Sequence, residues 1–309
     1  MKFPKIDGKA VLSPMSGVTD VAFRALAKKY GAALTYTEFV SSTSIVRGNK
    51  VAWKMVETDP SEKPAAVQLF GHNEQDVVSA AQQLQDKFDI IDVNCGCPAW
   101  KVIKTGAGSE MLKQPDKIAR FINKLATSVN KPVTVKIRIG IDDQNINAIQ
   151  VAKLVENAGA AAIAIHGRTQ QQGYSGVANW EIIKQVKESV NIPVIGNGDV
   201  FTPEQFKEKL DYSGVDAIMI ARGAIGRPFI FKQIQDYMKT GKYEEYNPIP
   251  LFFEYLELAQ KYNLRVNDIK GHAIMFTKGI IGGSNLREAL GKSTTIEQIK
   301  EVLQPKITV

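Results

Sequence analysis

The sequence has few cysteines: two among 309 residues, with a single glycine between them. Cys95 and Cys97 cannot form a disulfide framework, because residues at this spacing have poor geometry for bridging. No second cysteine pair exists that could complete a thiolate zinc site. This scarcity excludes a disulfide-stapled scaffold and predicts a protein of the reducing cytoplasm without a bound metal.

Long apolar runs are also lacking. No stretch approaches the ~20 uninterrupted apolar residues of a membrane-spanning helix, and Met1 to Pro4 begin no segment like a signal peptide. We therefore expect a cytoplasmic protein without membrane contact. Lys and Arg total 39 against 32 Asp and Glu, a net charge of +7. This excess is a mild indication of a polyanionic partner.

Short apolar or β-branched runs alternate with amphipathic stretches as far as Lys242. The runs predict eight strands: Ala10–Met15, Ala33–Glu38, Ala65–Phe70, Asp89–Asn94, Val133–Arg138, Ala161–His166, Pro193–Asn197 and Ala217–Ala221. The stretches between them predict helices: Val21–Tyr30, Glu74–Phe88, Pro115–Val129, Asn145–Ala158, Trp180–Val190 and Thr202–Leu210. Eight strands alternating with helices favour a TIM (β/α)8 barrel over an open, doubly wound sheet.

The pattern changes after Lys242, where Asn247-Pro248-Ile249-Pro250 breaks the chain and only helical periodicity follows. Three helices are predicted in this C-terminal part: Leu251–Tyr262, Ile269–Lys278 and Ile296–Leu303. We therefore predict a barrel domain over residues 1–242 and a small helical domain over residues 243–309.

Most predicted strands end in a polar or reactive residue. The side chains of a barrel's strand ends meet at its C-terminal face, where enzymes of this fold carry their chemistry. One or two such residues could simply satisfy loop backbone, but a whole ring of them predicts one pocket. The ring comprises Ser13 to Ser16, Glu38, Gln68, Asn94, Lys136, Arg138, His166, Asn197 to Asp199, and Arg222 to Gly223.

Several of these segments carry recognisable motifs: Leu12-Ser13-Pro14-Met15-Ser16-Gly17-Val18-Thr19-Asp20, Val67-Gln68-Leu69-Phe70-Gly71, Asn94-Cys95-Gly96-Cys97-Pro98 with Lys101-Val102, Lys136-Ile137-Arg138, His166-Gly167-Arg168-Thr169, Asn197-Gly198-Asp199 and Arg222-Gly223. Together they resemble the tRNA-dihydrouridine synthase family. The C-terminal motifs Gly271-His272-Ala273, Lys278-Gly279 and Leu286-Arg287 agree. The resemblance implies an FMN-binding TIM barrel and a helical domain that binds tRNA. It also implies that NADPH supplies the electrons that reduce a tRNA uridine.

The same resemblance assigns the cofactor site. Lys136 alternates with Val135 and Ile137 in a buried strand, so its ammonium should meet an anion, which the resemblance identifies as the N1–C2 edge of the flavin. The loops after strands seven and eight, with a helix N-terminus after strand eight, suit a phosphate. The predicted cofactor-binding residues are Pro14, Met15, Ser16, Gln68, Lys136, His166, Asn197, Gly198, Asp199, Ala221 and Arg222.

Saturation of the uracil C5–C6 bond needs a hydride at C6 and a proton at C5. A cysteine with pKa ~8.5 is mostly a thiol near neutral pH and can donate that proton. By resemblance Cys97 is the general acid, and Cys95 occupies a variable position of the motif. Asn94, Arg138 and Tyr174 match residues that hold the flipped-out uracil, since such polar groups read its Watson–Crick edge. His166 and Arg168 contact flavin phosphate or RNA; the sequence does not choose.

Two other classes of function stay open at this point. An FMN-dependent small-molecule oxidoreductase of the dihydroorotate dehydrogenase type would share the flavin contacts without needing the mildly basic tail. An RNA-binding protein or RNA chaperone would share the tail and need no flavin. Which uridine is reduced, and whether NADPH or NADH is the donor, cannot be read from the sequence. We expect a monomer.

Overall fold

The computed structural model describes residues 1–304. Its eight strands are parallel and lie in the order β1-β8-β7-β6-β5-β4-β3-β2. They are β1 Ala10–Leu12, β2 Thr35–Ser41, β3 Ala65–Phe70, β4 Ile90–Cys95, β5 Val133–Arg138, β6 Ala162–His166, β7 Val194–Asn197 and β8 Ala217–Ile220. Helices surround the sheet, so the predicted TIM barrel is confirmed.

The α-helices of residues 1–304 follow in chain order: α1 Val21–Lys29, α2 Ser42–Val46, α3 Lys50–Met55, α4 Glu74–Leu84, α5 Trp100–Ile103, α6 Pro115–Ser128, α7 Ala148–Asn157, α8 Trp180–Ser189, α9 Pro203–Ser213, α10 Ile230–Thr240, α11 Pro248–Lys261, α12 Val266–Phe276, α13 Gly283–Lys292 and α14 Ile296–Leu303. The predicted helices are present, with shifted ends. Helices α2, α3, α5, α10 and α13 were not predicted.

Six strands differ from their predicted bounds, four of them by one residue at one or both ends, and the larger differences are in β1 and β2. Strand β1 ends at Leu12, before Pro14, whose ring removes the backbone donor that a strand needs. Strand β2 runs on to Ser41, and its register with β3 shifts between Tyr36 and Phe39. Such a bulge redirects side chains at a barrel rim, and here it brings Phe39 to the mouth of the barrel.

The strands divide the apolar side chains between two clusters. Side chains on the outer face pack against the helices and continue into the C-terminal helices as one large core. The inner face carries a smaller cluster near the N-terminal end of the barrel, which Phe3 and Ile6 cover. Above this apolar layer the inward positions become polar, and that change marks the C-terminal half of the barrel interior.

A fully buried ion pair joins helix α1 to the segment before β3. Arg24 Nε lies 2.7 Å from Glu62 Oε2, and both side chains have no exposed area. Arg24 also donates to the carbonyl oxygens of Thr19 (2.7 Å) and Glu57. Glu62 accepts in addition from the backbone N–H of Asp59, at 2.9 Å. These hydrogen bonds compensate the loss of hydration that both charges suffer on burial.

The C-terminal helices are joined to the β1–α1 loop through a buried carboxylate. Asp20 caps α1 by accepting from Phe23 N. Its Oδ2 lies 2.9 Å from Nε2 of His272 on α12 and accepts from the hydroxyl of Tyr255 on α11, at 3.1 Å. Burial acts to raise the pKa of Asp20, but the proximity of His272 and these hydrogen bonds lower it overall.

A second contact lies on the barrel's side. Asp59 Oδ2 accepts from Lys261 Nζ (2.8 Å) and from the Tyr262 hydroxyl (2.7 Å) at the end of α11. The C-terminal helices therefore share their core and their polar contacts with the barrel. The division at 242/243 stays a prediction, and the last five residues of the predicted helical domain, 305–309, lie outside the described part of the chain.

Within residues 1–304, no helix is both long enough and apolar enough to cross a membrane.

The buried ion pair gives a test of stability. Glu62→Ala leaves the Arg24 guanidinium buried without its carboxylate, so we expect the free energy of unfolding to fall by about 3–5 kcal/mol. Asp211→Ala is the control. Asp211 and Lys207 form an exposed ion pair, so its loss should change the free energy of unfolding little. Urea unfolding measures both. Equal midpoints for the two variants would contradict the structural role assigned to Glu62.

Candidate active site

A cavity of about 460 Å³ opens at the C-terminal ends of the strands. Its volume lies within the range of small-molecule and cofactor sites, ~300–1,000 Å³. All the residues predicted for cofactor, substrate and catalysis line it: Pro14, Met15, Ser16, Gln68, Asn94, Cys97, Lys136, Arg138, His166, Tyr174, Asn197, Gly198, Asp199, Ala221 and Arg222. The structure thus brings the predicted ring together with the exception of Glu38, which accepts from Gly17 N at 2.6 Å and lines a neighbouring cleft. The individual roles of the ring residues stay predictions.

Strand register explains how these side chains meet. Successive inward residues on one strand stand beside inward residues on the next: Asn94 pairs with Lys136, Arg138 with His166, and His166 with Asn197. Parallel strands point alternate side chains to one face, so residues paired across strands share a face. A continuous polar belt therefore runs around the barrel interior from β4 to β7.

Lys136 is the central cation of this belt. Its Nζ lies 3.4 Å from Asn197 Oδ1, and no carboxylate of residues 1–304 forms an ion pair with it. Burial and the nearby Arg138 lower the pKa of Lys136 to about 8, while Asp92 and Cys97 act to raise it. The ammonium is therefore suited to an electron-rich group entering the cavity.

A second positive region lies at the ends of β6 to β8. Arg168 is 2% exposed, and its Nη2 lies 2.8 Å from Asp199 Oδ2, while its Nη1 has no hydrogen-bond partner. Arg222 Nη2 contacts the other oxygen of Asp199, at 2.8 Å. One carboxylate thus orients two guanidinium groups. Arg222 lines the cavity and Arg168 lies buried behind it, so Arg222 is the guanidinium available to an anion in the cavity.

The glycines beside these arginines allow close approach of backbone. Gly198 has φ +140°, and a Cβ there would lie 2.4 Å from the Cβ of Ala178. A Cβ on Gly223 would lie 2.3 Å from the carbonyl oxygen of Val200. Gly223 belongs to a 3₁₀ turn, Arg222–Ala224, which supplies the short helix N-terminus predicted after β8. These features fit a phosphate group held by backbone N–H donors.

His166 lies between the two positive regions. Burial, followed by the charges of Lys136, Arg138, Arg168 and Arg222, holds the pKa of His166 well below its usual range. The imidazole is therefore neutral at physiological pH, and it offers one hydrogen-bond donor and one acceptor to a bound group.

The loop after β4 presents Cys97 to the cavity. Its backbone N–H donates to Asn94 Oδ1 (2.8 Å), and its carbonyl accepts from the N–H and hydroxyl of Ser109, both at 3.0 Å. Burial raises the pKa of the Cys97 thiol. The group therefore keeps its proton near neutral pH, as a general acid must.

Cys95 differs from Cys97 in its surroundings. Cys95 is fully buried and its Sγ lies 3.6 Å from Met111 Sδ on the outer side of β4. Burial raises its pKa far above the usual value, with a further contribution from Asp92. It does not line the cavity, so its surroundings fit a packing role.

Arg138 and Tyr174 form a wall beside the positive region, and the Tyr174 ring lies 5.1 Å from the Arg222 guanidinium. Arg138 Nε donates to Gly96 O (3.0 Å), and its Nη1 donates to the carbonyls of Thr169 (2.8 Å) and Gly173 (2.9 Å). The Tyr174 ring lies 5.9 Å from the Arg138 guanidinium and is 65% exposed. Arg138 is thus fixed in place and the ring stands at the cavity mouth.

The sequence reasoning missed two aromatic side chains of the cavity, Phe39 and Phe201. Phe39 directly follows the predicted end of the second strand, and the bulge in β2 turns it inward. Phe201 lies two residues beyond Asp199, and its ring is 5.5 Å from the Arg222 guanidinium. An aromatic residue just after a strand-end motif was the available signal in both cases.

Among residues 1–304, no three His, Cys, Asp or Glu side chains are grouped in a way that could hold a metal ion.

Comparison with known proteins decides the family. The model of the family "Dihydrouridine synthase (Dus)" matches residues 11–308. The chain belongs to the dihydrouridine synthase family. Probable tRNA-dihydrouridine synthase 1 of Synechocystis is 36% identical over 98% of this chain and 87% of its own. The tRNA-dihydrouridine synthase B of Shewanella oneidensis is 41% identical over 77% of this chain and 74% of its own. The resemblance predicted from the motifs is confirmed, and the dihydroorotate dehydrogenase alternative is not favoured.

Solved structures agree on the fold. Histamine dehydrogenase from Rhizobium sp. 4-9 has a TM-score of 0.60 at 14% identity and covers 82% of this chain and 49% of its own. The old yellow enzyme homologue of Zymomonas mobilis has a TM-score of 0.53 at 13% identity, and the match covers 77% of this chain and 89% of its own. At such identities the likeness shows the barrel fold alone.

The two thiols give a test of the site. In the native dihydrouridine synthase chain we expect iodoacetamide to modify Cys97 slowly, because its raised pKa leaves little thiolate, and not to modify buried Cys95. Peptide mass spectrometry after timed alkylation measures both, and alkylation in denaturant, where both thiols react, is the control. Modification of Cys95 at the rate of Cys97 would contradict the arrangement described.

Proposed function

We propose that this member of the dihydrouridine synthase family reduces the C5–C6 bond of a uridine in the D-loop of tRNA, using FMN that NADPH has reduced. The observation that carries the proposal is the cavity itself. It combines a half-buried thiol that keeps its proton, a central ammonium without an ion-pair partner, and the guanidinium of Arg222, which Asp199 orients. A chain of this family that binds RNA without a flavin would need none of the three.

FMN would extend along the cavity, with its ring and its phosphate at opposite ends. Lys136, with Gln68 and Asn197 beside it, would face the ring's electron-rich edge, and Pro14 to Ser16 would supply one wall. The phosphate would lie at Arg222, which buried Arg168 supports through their shared partner Asp199, and at the N–H groups of the 198–199 and 222–223 loops. His166, neutral and between the two ends, would hydrogen-bond to the cofactor. These contacts match the cofactor-binding residues predicted from the sequence.

The chemistry divides between the cofactor and the chain. Reduced FMN supplies a hydride for C6 of the uracil. The Cys97 thiol donates its proton to C5, since its raised pKa keeps it protonated until the carbanion forms. Arg138 and the exposed Tyr174 hold the uracil at the mouth. Asn94 contributes only its second amide hydrogen there, because its oxygen is already bonded to the loop.

The RNA would extend from the cavity toward the C-terminal helices. A cleft of about 430 Å³ begins beside the flavin cavity at Gly17 and reaches the α11–α12 turn. Lys50 and Arg265 are exposed on its two sides, and Lys101 and Lys104 are exposed on the other side of the mouth. Several phosphate contacts of this kind would give tRNA binding a steep dependence on salt. We propose that the protein acts as a monomer in the cytoplasm.

Removal of the proposed acid tests the function. Cys97→Ala should retain FMN and its reduction by NADPH but lose on the order of 10²-fold or more in dihydrouridine formation, because proton transfer contributes about that much. Cys95→Ala is the matched control and should stay active. Single-turnover assays on unmodified tRNA, with flavin absorbance followed in parallel, measure both steps. Equal loss in both variants would indicate a shared thiol role and sink the assignment.

The pH dependence of cofactor binding tests Lys136. Its pKa of about 8 means that the ammonium loses its proton as pH rises past 8. Because a bound electron-rich ring favours the charged form, FMN affinity should fall above pH 8, by up to about tenfold per pH unit for one linked proton. Lys136→Arg keeps its charge and should show a flat profile. Flavin fluorescence titrations from pH 7 to 9 measure the FMN affinity of both chains. If the affinity of the arginine variant also falls with pH, Lys136 is not the source of the pH dependence.

A further inference from the structure

A chain of hydrogen bonds runs inside the barrel from a buried carboxylate to the catalytic loop. Asp92, one inward position below Asn94 on β4, has no exposed area. Its Oδ2 accepts from Gln68 Nε2 at 2.6 Å, and its Oδ1 accepts from the Thr134 hydroxyl at 2.5 Å. Gln68 Oε1 accepts from Asn94 Nδ2 at 2.7 Å.

The far end of the chain is the backbone of the Cys97 loop. Asn94 Oδ1 accepts from the N–H groups of Gly96 (3.1 Å) and Cys97 (2.8 Å). Two backbone donors therefore fix the oxygen of Asn94 toward the loop, and its amide nitrogen toward Gln68.

The groups at the two ends of this chain of hydrogen bonds determine which atom donates and which accepts in every bond between them. Burial raises the pKa of Asp92 to about 6, so at pH 7 to 8 it is ionised and can only accept. Gln68 must then turn its nitrogen to Asp92 and its oxygen to Asn94. If Gln68 rotated by 180°, it would place oxygen against a carboxylate and nitrogen against nitrogen, leaving buried groups unpaired.

The charge of Asp92 also matters for the belt above it. The groups that face it are Thr134 and Lys136 from β5, Gln68 from β3 and Tyr36 from β2. Lys136 is the single cation among them. Asp92 thus acts both as the terminal acceptor of the amide chain and as a counter-charge below the ammonium.

We propose that Asp92 is a positioning residue, which sets the orientation of the Gln68 and Asn94 amides and thereby holds Cys97 in place for proton donation. The inference rests on the proposed function for the purpose of that loop, and on the hydrogen bonds alone for its mechanism. Asp92 itself touches neither the thiol nor the cavity; it acts through two side chains.

The test compares three variants of the full-length chain by the rate at which iodoacetamide modifies Cys97. Asp92→Leu removes the acceptor and should loosen the loop, raising the rate by on the order of tenfold, the equivalent of one lost buried hydrogen bond. Asp92→Asn can still offer oxygen to Gln68 and nitrogen to the Thr134 hydroxyl, so its rate should stay within about twofold of the original. Val93→Ala is the matched control, because Val93 neighbours Asp92 but packs in the outer core.

The outcomes separate positioning from plain stability. Val93→Ala should lower the melting temperature without changing the alkylation rate. If Asp92→Leu does not fold, Gln68→Met breaks the same chain one step later and should raise the rate equally. An unchanged rate in the variant that folds, or an equal rise in Val93→Ala, overturns the inference. Alkylation needs neither FMN nor tRNA, so a wild-type chain without synthase activity would refute the proposed function and leave this test intact.

Discussion

The two-residue period of parallel strands is the constraint on which the site depends. Inward positions on β4 run from Ile90 through Asp92 to Asn94, and those on β5 run from Thr134 through Lys136 to Arg138. Each step of two residues moves one layer toward the C-terminal face. The barrel is therefore apolar at one end and increasingly polar at the other, and a one-residue shift in register would turn the whole set toward the helices.

Such an interior carries a cost, since polar and charged groups lose their hydration there. The structure offsets this cost unevenly. Asp92, Gln68 and Asn94 satisfy one another through directed hydrogen bonds, and Arg24 with Glu62 does the same outside the sheet. Lys136, by contrast, has only a 3.4 Å hydrogen bond to Asn197 and forms no ion pair with a carboxylate of residues 1–304. The contrast separates groups that maintain the scaffold from groups suited to a ligand.

The sequence was sufficient for the barrel, the order of its elements and the residues of the cavity, because strand periodicity and strand-end motifs are local signals. It could not predict the bulge that turns Phe39 inward or the end of β1 at Leu12. It also treated Asn94 as a substrate contact, without its bond to the Cys97 loop. These features depend on which side chains meet across strands, as does the buried chain that begins at Asp92. Helix α13 was missed because Gly282 and Gly283 obscure its start.

The buried carboxylate of Asp20 has a consequence for the order in which the chain matures. Its hydroxyl partner, Tyr255, lies 235 residues further along the sequence, and His272 lies later still. A chain emerging from the ribosome in N-terminal order completes all eight strands before either partner exists. Until then the loop that ends at Asp20, which forms one wall of the cavity, lacks the hydrogen bond from Tyr255 and the contact with His272. This wall of the cavity therefore gains its contacts with Tyr255 and His272 only when the C-terminal helices have been synthesised.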